Sequence, residues 1–593
     1  MISAELFILP GLAFAQAGPA VILSYIIAGI FCIPALLSMA ELATAMPKAG
    51  GDYFYIMRGF GPLLGTIAGF ATWFSLNLKG AFALIGMGVY LIIITDISIE
   101  LIALLCGVFF IVLNLVGIKE AGRFQVLLVM GSLVILLGYV LWGMSAINPS
   151  NLSPFFTKGL GPVFTTASFV FISYGGLTNV VALAEEVKNP NRNLPLGMIL
   201  SLIVTSIVYA LVIFVTIGVL NPENLRGTFT PISDGVDIFG GNAFKIIISI
   251  GAFLTFISTA NSGIMIASRY FLGMSRDKLL PTSFKKISFR FKTPYVSVLV
   301  TGFFMIMAIM FLELGLLIKV ASSTLILFYI LASLTLILFR ESKILSYKPK
   351  FHAPLYPYLQ IAGILGGLFL LAGMGWATIS LTAAFLLSGF IWYKIYAQKR
   401  ASQDSALIYA LEKLIAKDKE LASDDLLTEL RDIVIERDEI IKDKFHELIE
   451  ESKVLDIEEP LKMEDFFKRV SDIFSKDLGL EPGELLKKFV KREEESSTVI
   501  RKGLSIPHII VDGKNVFKIL LARAKTGVIL PEDKLAHIIF VIVGSPDERN
   551  LHLKVLAAIA QITQCPEFDE KWLRARNVEE LRNIVLLTER RKN

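Results

Sequence analysis

Apolar runs of about 20 residues recur through the first two thirds of the chain, separated by short polar loops. Window hydrophobicity predicts about twelve membrane spans, near 1–17, 19–46, 61–93, 97–117, 122–146, 163–185, 196–220, 244–272, 294–314, 315–339, 355–375 and 377–396. The first is short for a crossing and nothing polar or basic precedes it. An upstream piece is therefore expected to be missing, and no cleavable signal peptide is visible. Beyond Tyr396 the pattern changes. Residues 401–453 carry Glu, Asp, Lys, Leu and Ile at helical spacing, which predicts one or two amphipathic helices. Further on, strand-like runs at Phe517–Ala524 and His537–Gly544 accompany helical stretches at Met463–Ile473, Glu481–Arg492 and Leu551–Gln561. The expected division is a transmembrane domain over 1–396, a helical connector over 397–455 and a soluble α/β domain over 456–593, long enough to bury its own core.

One span breaks its own pattern. From Ser168 the chain runs apolar, meets Ser173, Tyr174, Gly175 and Gly176, resumes through Ala184, and stops at Glu185–Glu186 before Asn189–Pro190. Adjacent glycines weaken a helix by roughly 1 kcal/mol each against Ala. In lipid, a broken helix also strands backbone N–H and C=O groups, which is tolerable only where they are buried or line a cavity. The stretch is either a binding site built from half-helix ends or a kink made for helix packing.

Composition agrees with a membrane protein: 54% of the 593 residues are hydrophobic and only 18% charged. The net charge of +5 is accounted for by basic loops and requires no nucleic acid partner. Cys32, Cys106 and Cys565 lie far apart and imply neither disulfide nor zinc framework, and no metal or other cofactor is expected. Lys and Arg collect in alternate loops, at Lys48 and Arg58, Lys119 and Arg123, Lys188 and Arg192, Arg276–Lys292, Arg340–Lys350 and Lys399–Arg400. The positive-inside rule then puts the C-terminal domain in the cytoplasm of a multi-pass protein of the cytoplasmic membrane.

Ionisable residues inside spans are functional candidates. Glu5 lies in the first span, and Asn77 and Lys79 lie in the third with apolar sequence on both sides. A buried lysine needs a carboxylate or loses its proton, so Lys79 either pairs with Glu5 or reaches to an interface. Ser258, Thr259, Asn261 and Ser262 make a polar patch in the eighth span. Glu41 reads as a helix-end carboxylate bonded to nearby loops.

Four motifs carry a resemblance over about residues 1–396: Ile2-Ser-Ala-Glu-Leu-Phe-Ile-Leu-Pro-Gly11; Ala40–Tyr55 leading to Gly59-Phe-Gly-Pro62; the broken stretch with Glu185-Glu-Val-Lys-Asn-Pro190; and Ser268–Asp277 leading to Leu280-Pro281 and Thr293-Pro294. The chain resembles permeases of the amino acid–polyamine–organocation (APC) superfamily. The resemblance implies a LeuT-type fold, two inverted repeats of five helices plus two more, with helices one and six unwound at their middles. It implies substrate contacts at Ser3, Ala4 and Glu5, and at Ser173, Tyr174, Gly175 and Gly176, with Lys79 nearby. Coupling-ion candidates are Glu5, Lys79, Ser258 and Thr259. Glycine is expected where Glu5 stands. A cationic amino acid or an amine suits an unpaired Glu5, and a neutral amino acid requires Lys79 to neutralise it.

A second resemblance lies in the tail. Lys491-Arg-Glu-Glu-Glu-Ser-Ser-Thr498 followed by Gly503-Leu-Ser-Ile-Pro-His508 is similar to the IIA domain of the bacterial sugar phosphotransferase system, in its mannitol/fructose class. That resemblance implies His508 as phosphoryl acceptor, with His552 lining the site and Arg492 balancing charge. Val499-Ile-Arg-Lys502 departs from the small, glycine-rich approach expected there. His537 reads as structural.

Together these readings predict a non-enzymatic secondary permease for amino acids or related amines, with a regulatory tail that meets a phosphocarrier protein or a regulatory ligand. The alternatives are a phosphotransferase-type sugar uptake component and a transporter-like receptor.

Overall fold

The computed structural model describes residues 3–48, 51–92, 97–116, 121–177, 179–344, 346–401, 405–415, 425–438, 440, 442–588 and 590. Ile2, Ala49, Gly50, Lys119 and Thr178, which fall within the stretches named above, lie outside the described residues. By internal contacts the chain divides into two units, Met1–Ile344 with Pro349–Ser423, and Leu345–Lys348 with Asp424–Asn593.

The first unit is helical. Its main helices are α1 (Leu9–Ala17), α2 (Val21–Ala45), α3 (Tyr53–Phe60), α4 (Pro62–Leu91), α5 (Ile99–Val116), α6 (Ala121–Gly143), α7 (Gly161–Val170), α8 (Pro190–Val219), α9 (Gly241–Arg276), α10 (Tyr295–Phe311), α11 (Leu314–Ser342), α12 (Tyr358–Ala372) and α13 (Trp376–Trp392), with shorter ones at Pro222–Leu225, Pro231–Phe239 and Ala406–Ile415. Among the described residues nine helical stretches are long and apolar enough to cross a membrane, and α10 and α12 are shorter apolar helices. Small residues let the long α4 and α9 approach: a Cβ added at Gly263 of α9 would sit 3.2 Å from the Cα of Gly80 on α4. Asn77 and Lys79 do not interrupt α4, which winds through both. Asn77 Nδ2 donates back to the Trp73 carbonyl at 2.9 Å.

Two ion pairs, each with one buried partner, tie helix ends together. Glu41 on α2 is fully buried; it accepts from Arg340 Nε on α11 at 2.9 Å and from the Ala353 N–H at 2.6 Å. Its loop-bonded reading holds, and Arg340 is the partner that sequence reading did not supply. Arg58 on α3 grips Asp277, just after α9, with both guanidinium nitrogens at 2.7 and 2.9 Å, and Tyr53 donates to the same carboxylate at 3.0 Å.

The second unit is built on one sheet in the order β1-β6-β7-β4-β3, with β2 also on β6 and β5 also on β7. The strands are β1 (Lys453–Ile457), β2 (Leu461–Lys462), β3 (Val499–Arg501), β4 (Gly503–Ser505), β5 (His508–Ile510), β6 (Phe517–Leu530) and β7 (Lys534–Gly544). The sheet thus begins at Lys453. The strands β6 and β7 form an antiparallel hairpin, and β1, β4 and β5 join it in parallel. Alternation along β7 feeds two cores. Ile538, Phe540 and Ile542 pack with Val555, Ile559 and Trp572 on one face, while Ile539, Val541 and Val543 pack with Phe466, Phe467 and Phe489 on the other. Helices α14 (Met463–Leu478) and α15 (Pro482–Glu495) cover the second face, and α16 (Arg549–Thr563) lies on the first.

Candidate functional site

Two segments of the first unit that meet each other, Ala4–Phe7 and the stretch after α7, leave α-helical winding. Before α1, Ala4–Phe7 forms a 3-10 turn, with Leu6 N–H on the Ser3 carbonyl at 3.1 Å. After α7, Phe171–Tyr174 is 3-10, Gly175–Gly176 is a turn, and Asn179–Glu186 is 3-10 again. Gly175 is packed tightly: a Cβ there would stand 2.9 Å from Leu325 Cδ2 and 3.1 Å from the Ile172 carbonyl. A side chain larger than hydrogen would have to displace one or the other.

Tyrosine and serine side chains from neighbouring helices satisfy part of the freed backbone. Tyr209 on α8 accepts from the Ser3 N–H at 2.9 Å and donates to the Ser173 carbonyl at 3.2 Å, so one hydroxyl joins the two breaks. Ser322 on α11 accepts from the Ile172 N–H at 3.2 Å and donates to the Phe169 carbonyl at 3.0 Å. The Tyr174 side chain is buried, with its hydroxyl on the Tyr25 carbonyl at 2.9 Å and its ring centroid 5.4 Å from that of Tyr209. The Tyr209 and Ser322 contacts restore bonds that a continuous helix would have made.

Lys79 stands at the junction. Its ammonium is 3.9 Å from Glu5 Oε2 and 3.5 Å from the Ile172 carbonyl, so a single cation touches both interrupted segments. It is also the nearest group, at 3.9 Å, to a Cβ placed on Gly176. Glu5 and Ala4 are fully buried. Neither Glu5 oxygen, nor Ser3 Oγ, nor Ser173 Oγ has a hydrogen-bond partner among the described residues. A small cavity continues from Lys79 between Thr72, Ser75, Asn179 and Asp52. Ser258 and Thr259 are buried on α9, which also packs against Ala4–Phe7. Sequence reading brought Ser3, Glu5, Lys79 and Ser173 to one place. It missed Tyr25, Tyr209, Ser322 and Asp52, whose only signal was a polar group within or beside an apolar run.

The tail carries a second constellation. His508 opens β5 after Ile506–Pro507, and its Nδ1 lies 3.0 Å from the Ile506 carbonyl. A carbonyl can only accept, so Nδ1 carries the proton and Nε2 presents its lone pair. Arg492 on α15 lies 3.1 Å from that Nε2 and also donates to the Ser496 carbonyl at 2.9 Å. His552 on α16 stacks obliquely beside it, ring centroids 5.3 Å apart, and burial followed by the neighbouring His508 pushes its pKa down. The turn into this site is braced by Glu493. That buried carboxylate accepts from the Thr498 N–H at 2.9 Å and from the Thr498 hydroxyl, while the Thr498 carbonyl accepts from the Ile506 N–H at 2.9 Å. The arrangement offers a neutral imidazole nucleophile with a guanidinium beside it, suited to an incoming anionic group. Arg501 in the departing Val499–Lys502 run is bound to Asp569 and to the Thr563 carbonyl, so its charge is committed to holding the C-terminal helices. His537 Nδ1 is 3.0 Å from the Ala524 carbonyl across the β6–β7 hairpin.

Comparison with known proteins turns these geometries into a family assignment. A family model described as "Amino acid permease" matches residues 1–411. The chain belongs to the amino acid permease family. A branched-chain amino acid permease (BcaP) of Bacillus subtilis is 30% identical to it over 425 residues, covering 68% of this chain and 90% of the relative. A methylthioribose transporter of the same organism is 29% identical over 68% of this chain and 91% of its own length. The cationic amino acid transporter 9 of Arabidopsis thaliana is 30% identical over 48% of this chain and 54% of its own. Residues 447–587 of the permease match a second family model, "Phosphoenolpyruvate-dependent sugar phosphotransferase system, EIIA 2". A crystal structure of the nitrogen regulatory protein IIA-Ntr from Neisseria meningitidis is similar over 24% of this chain and 99% of its own, at 22% identity and a TM-score of 0.23. The tail's assignment rests on the family model.

Proposed function

We propose that this permease is a secondary active transporter of amino acids or related amines, working by alternating access, with its IIA-like tail as a regulatory domain in the cytoplasm. The observation that carries the reading is the meeting of two unwound, buried segments, 3–7 and 171–176, at side-chain oxygens of Ser3, Glu5 and Ser173 that have no hydrogen-bond partner among the described residues, with Lys79 as the one cation beside Glu5 among them. A buried carboxylate without donors is costly unless a ligand supplies them. The ligand's ammonium would lie among Glu5 and the carbonyls of the second break, and Tyr174 would wall the site. Lys79 would offset Glu5 and stand against any ligand carboxylate. Ser258 and Thr259 remain the candidate seat for a coupling cation. The substrates for which the relatives are named, branched-chain and cationic amino acids and methylthioribose, define the first panel to screen. The test is counterflow in vesicles with that panel. Lys79→Met is expected to abolish uptake or to change its pH dependence. Unchanged transport across pH would remove Lys79 from the site.

For the tail, His508 is the proposed phosphoryl acceptor, through Nε2, with Arg492 holding phosphoryl oxygens and His552 beside them. A phosphorylated carrier protein is the expected donor, of the kind used by the mannitol/fructose class. Incubating the full chain with that donor should leave acid-labile phosphate, and His508→Ala should leave none. Equal labelling of the variant would refute the assignment.

A further inference from the structure

The segment between α9 and α10 carries a surface that the transport site does not use. Residues 278–292 contain Lys278, Lys285, Lys286, Arg290 and Lys292, and no acidic residue occurs from Lys278 until Glu313. The root of the segment is fixed. Thr293 donates to the Leu115 carbonyl at the end of α5 at 2.8 Å, Ser297 donates to the Phe284 carbonyl at 3.0 Å, and the Phe284 ring packs on Phe271. The tip is closed on itself, with the Ser288 N–H on the Thr293 carbonyl and the Lys292 N–H on the Ser288 carbonyl, both at 2.8 Å. That closure projects Phe289 outward with its side chain wholly exposed, flanked by exposed Ile287 and Phe291. Among the described residues, the cations at positions 285, 286, 290 and 292 form no ion pair.

A loop braced at root and tip thrusts an aromatic ring out among cations that make no ion pair to the described residues, one of them, Arg290, lying over the Phe291 ring, and it joins two apolar helices whose ends would meet the membrane surface. We infer that residues 285–292 form a docking surface for anionic phospholipid, with Phe289 seated below the headgroups and Lys285, Lys286, Arg290 and Lys292 on their phosphates. Aromatic rings and basic side chains favour that interface for separate reasons, the ring for the boundary with the acyl chains and the cations for the negative surface potential. Clustered positive charge without a compensating carboxylate selects an anionic over a zwitterionic lipid.

The test uses the full chain carrying Phe289→Trp, reconstituted into phosphatidylcholine vesicles that contain a fraction of phosphatidylglycerol. Emission of the added tryptophan is taken as the difference from the parent chain, which has five. Brominated acyl chains on the phosphatidylglycerol should quench it more strongly than the same chains on phosphatidylcholine at equal mole fraction. Replacing Lys285, Lys286, Arg290 and Lys292 with Gln in the same chain should abolish that preference. Equal quenching by both lipids overturns the inference. So does quenching by aqueous iodide alone, or shielding from lipid and water alike, which would mean a protein covers the tip.

Discussion

Buried polar groups around Arg523 and Glu493 in the tail and at the two breaks of the membrane unit are treated in opposite ways. In the tail, Arg523 is fully buried on β6, yet its guanidinium meets both Asp456 oxygens and the carbonyls of Trp572, Leu573 and Ala575. Glu493 is likewise saturated by Thr498. At the breaks in the membrane unit, Glu5, Ser3 and Ser173 are as deeply buried and keep atoms with no hydrogen-bond partner among the described residues. The first arrangement holds a fold together. On the function proposed above, the second keeps hydrogen-bonding capacity for a solute, and helix ends at the same place would supply more of it.

The largest expected effect tests the saturated half of this contrast. Arg523→Ala leaves Asp456 and three carbonyls without their donor, and loss of one partner of a buried pair costs about 3–5 kcal/mol. Thermal unfolding of the full chain should show the tail melting first and early; an unchanged transition would mean the network holds nothing. The unsaturated half predicts the reverse pattern. Ser173→Ala removes a hydroxyl that makes no hydrogen bond to the described residues, so stability should move by no more than about 0.5 kcal/mol. Counterflow should nevertheless fall several-fold. A variant that unfolds, or one that transports normally, would put Ser173 in the first class.

How much of this contrast could be read in advance differed by region. The break at Gly175–Gly176 was legible because paired glycines in an apolar run have few structural uses. Lys79 was legible because a charge amid Leu, Phe and Gly needs a partner, and Glu5 was the carboxylate at matching depth. The groups that complete the site were not legible. Tyr209 and Ser322 reach it from α8 and α11, and a single hydroxyl in an apolar helix is ordinary. Arg340 lies 299 positions from Glu41, a distance over which sequence carries no pairing signal. In the tail, strong alternation exposed β6 and β7. The short strands β3 to β5 were read only as a motif, and the strand order depends on pairings between distant segments.

The smallest effect is a pH dependence in the tail. The native environment lowers the pKa of His552 from its ordinary 6.5, by burial first and by His508 second. Below about 6.5 the unfolded chain therefore binds a proton that the native tail resists. Stability should fall as the pH drops below that value and be indifferent to His552 above it. His552→Gln should flatten that part of the profile; an identical slope in the variant would show that His552 titrates normally.

The account's central claim is that a solute supplies the hydrogen bonds that Ser3, Glu5 and Ser173 do not make to the described residues. The most direct measurement is a structure of the full chain with an amino acid or amine that passes the counterflow screen. Solute density should lie between residues 3–5 and 173–176, with its polar atoms on Glu5, Ser3 or Ser173. Density elsewhere, with those groups still bare, would contradict the claim.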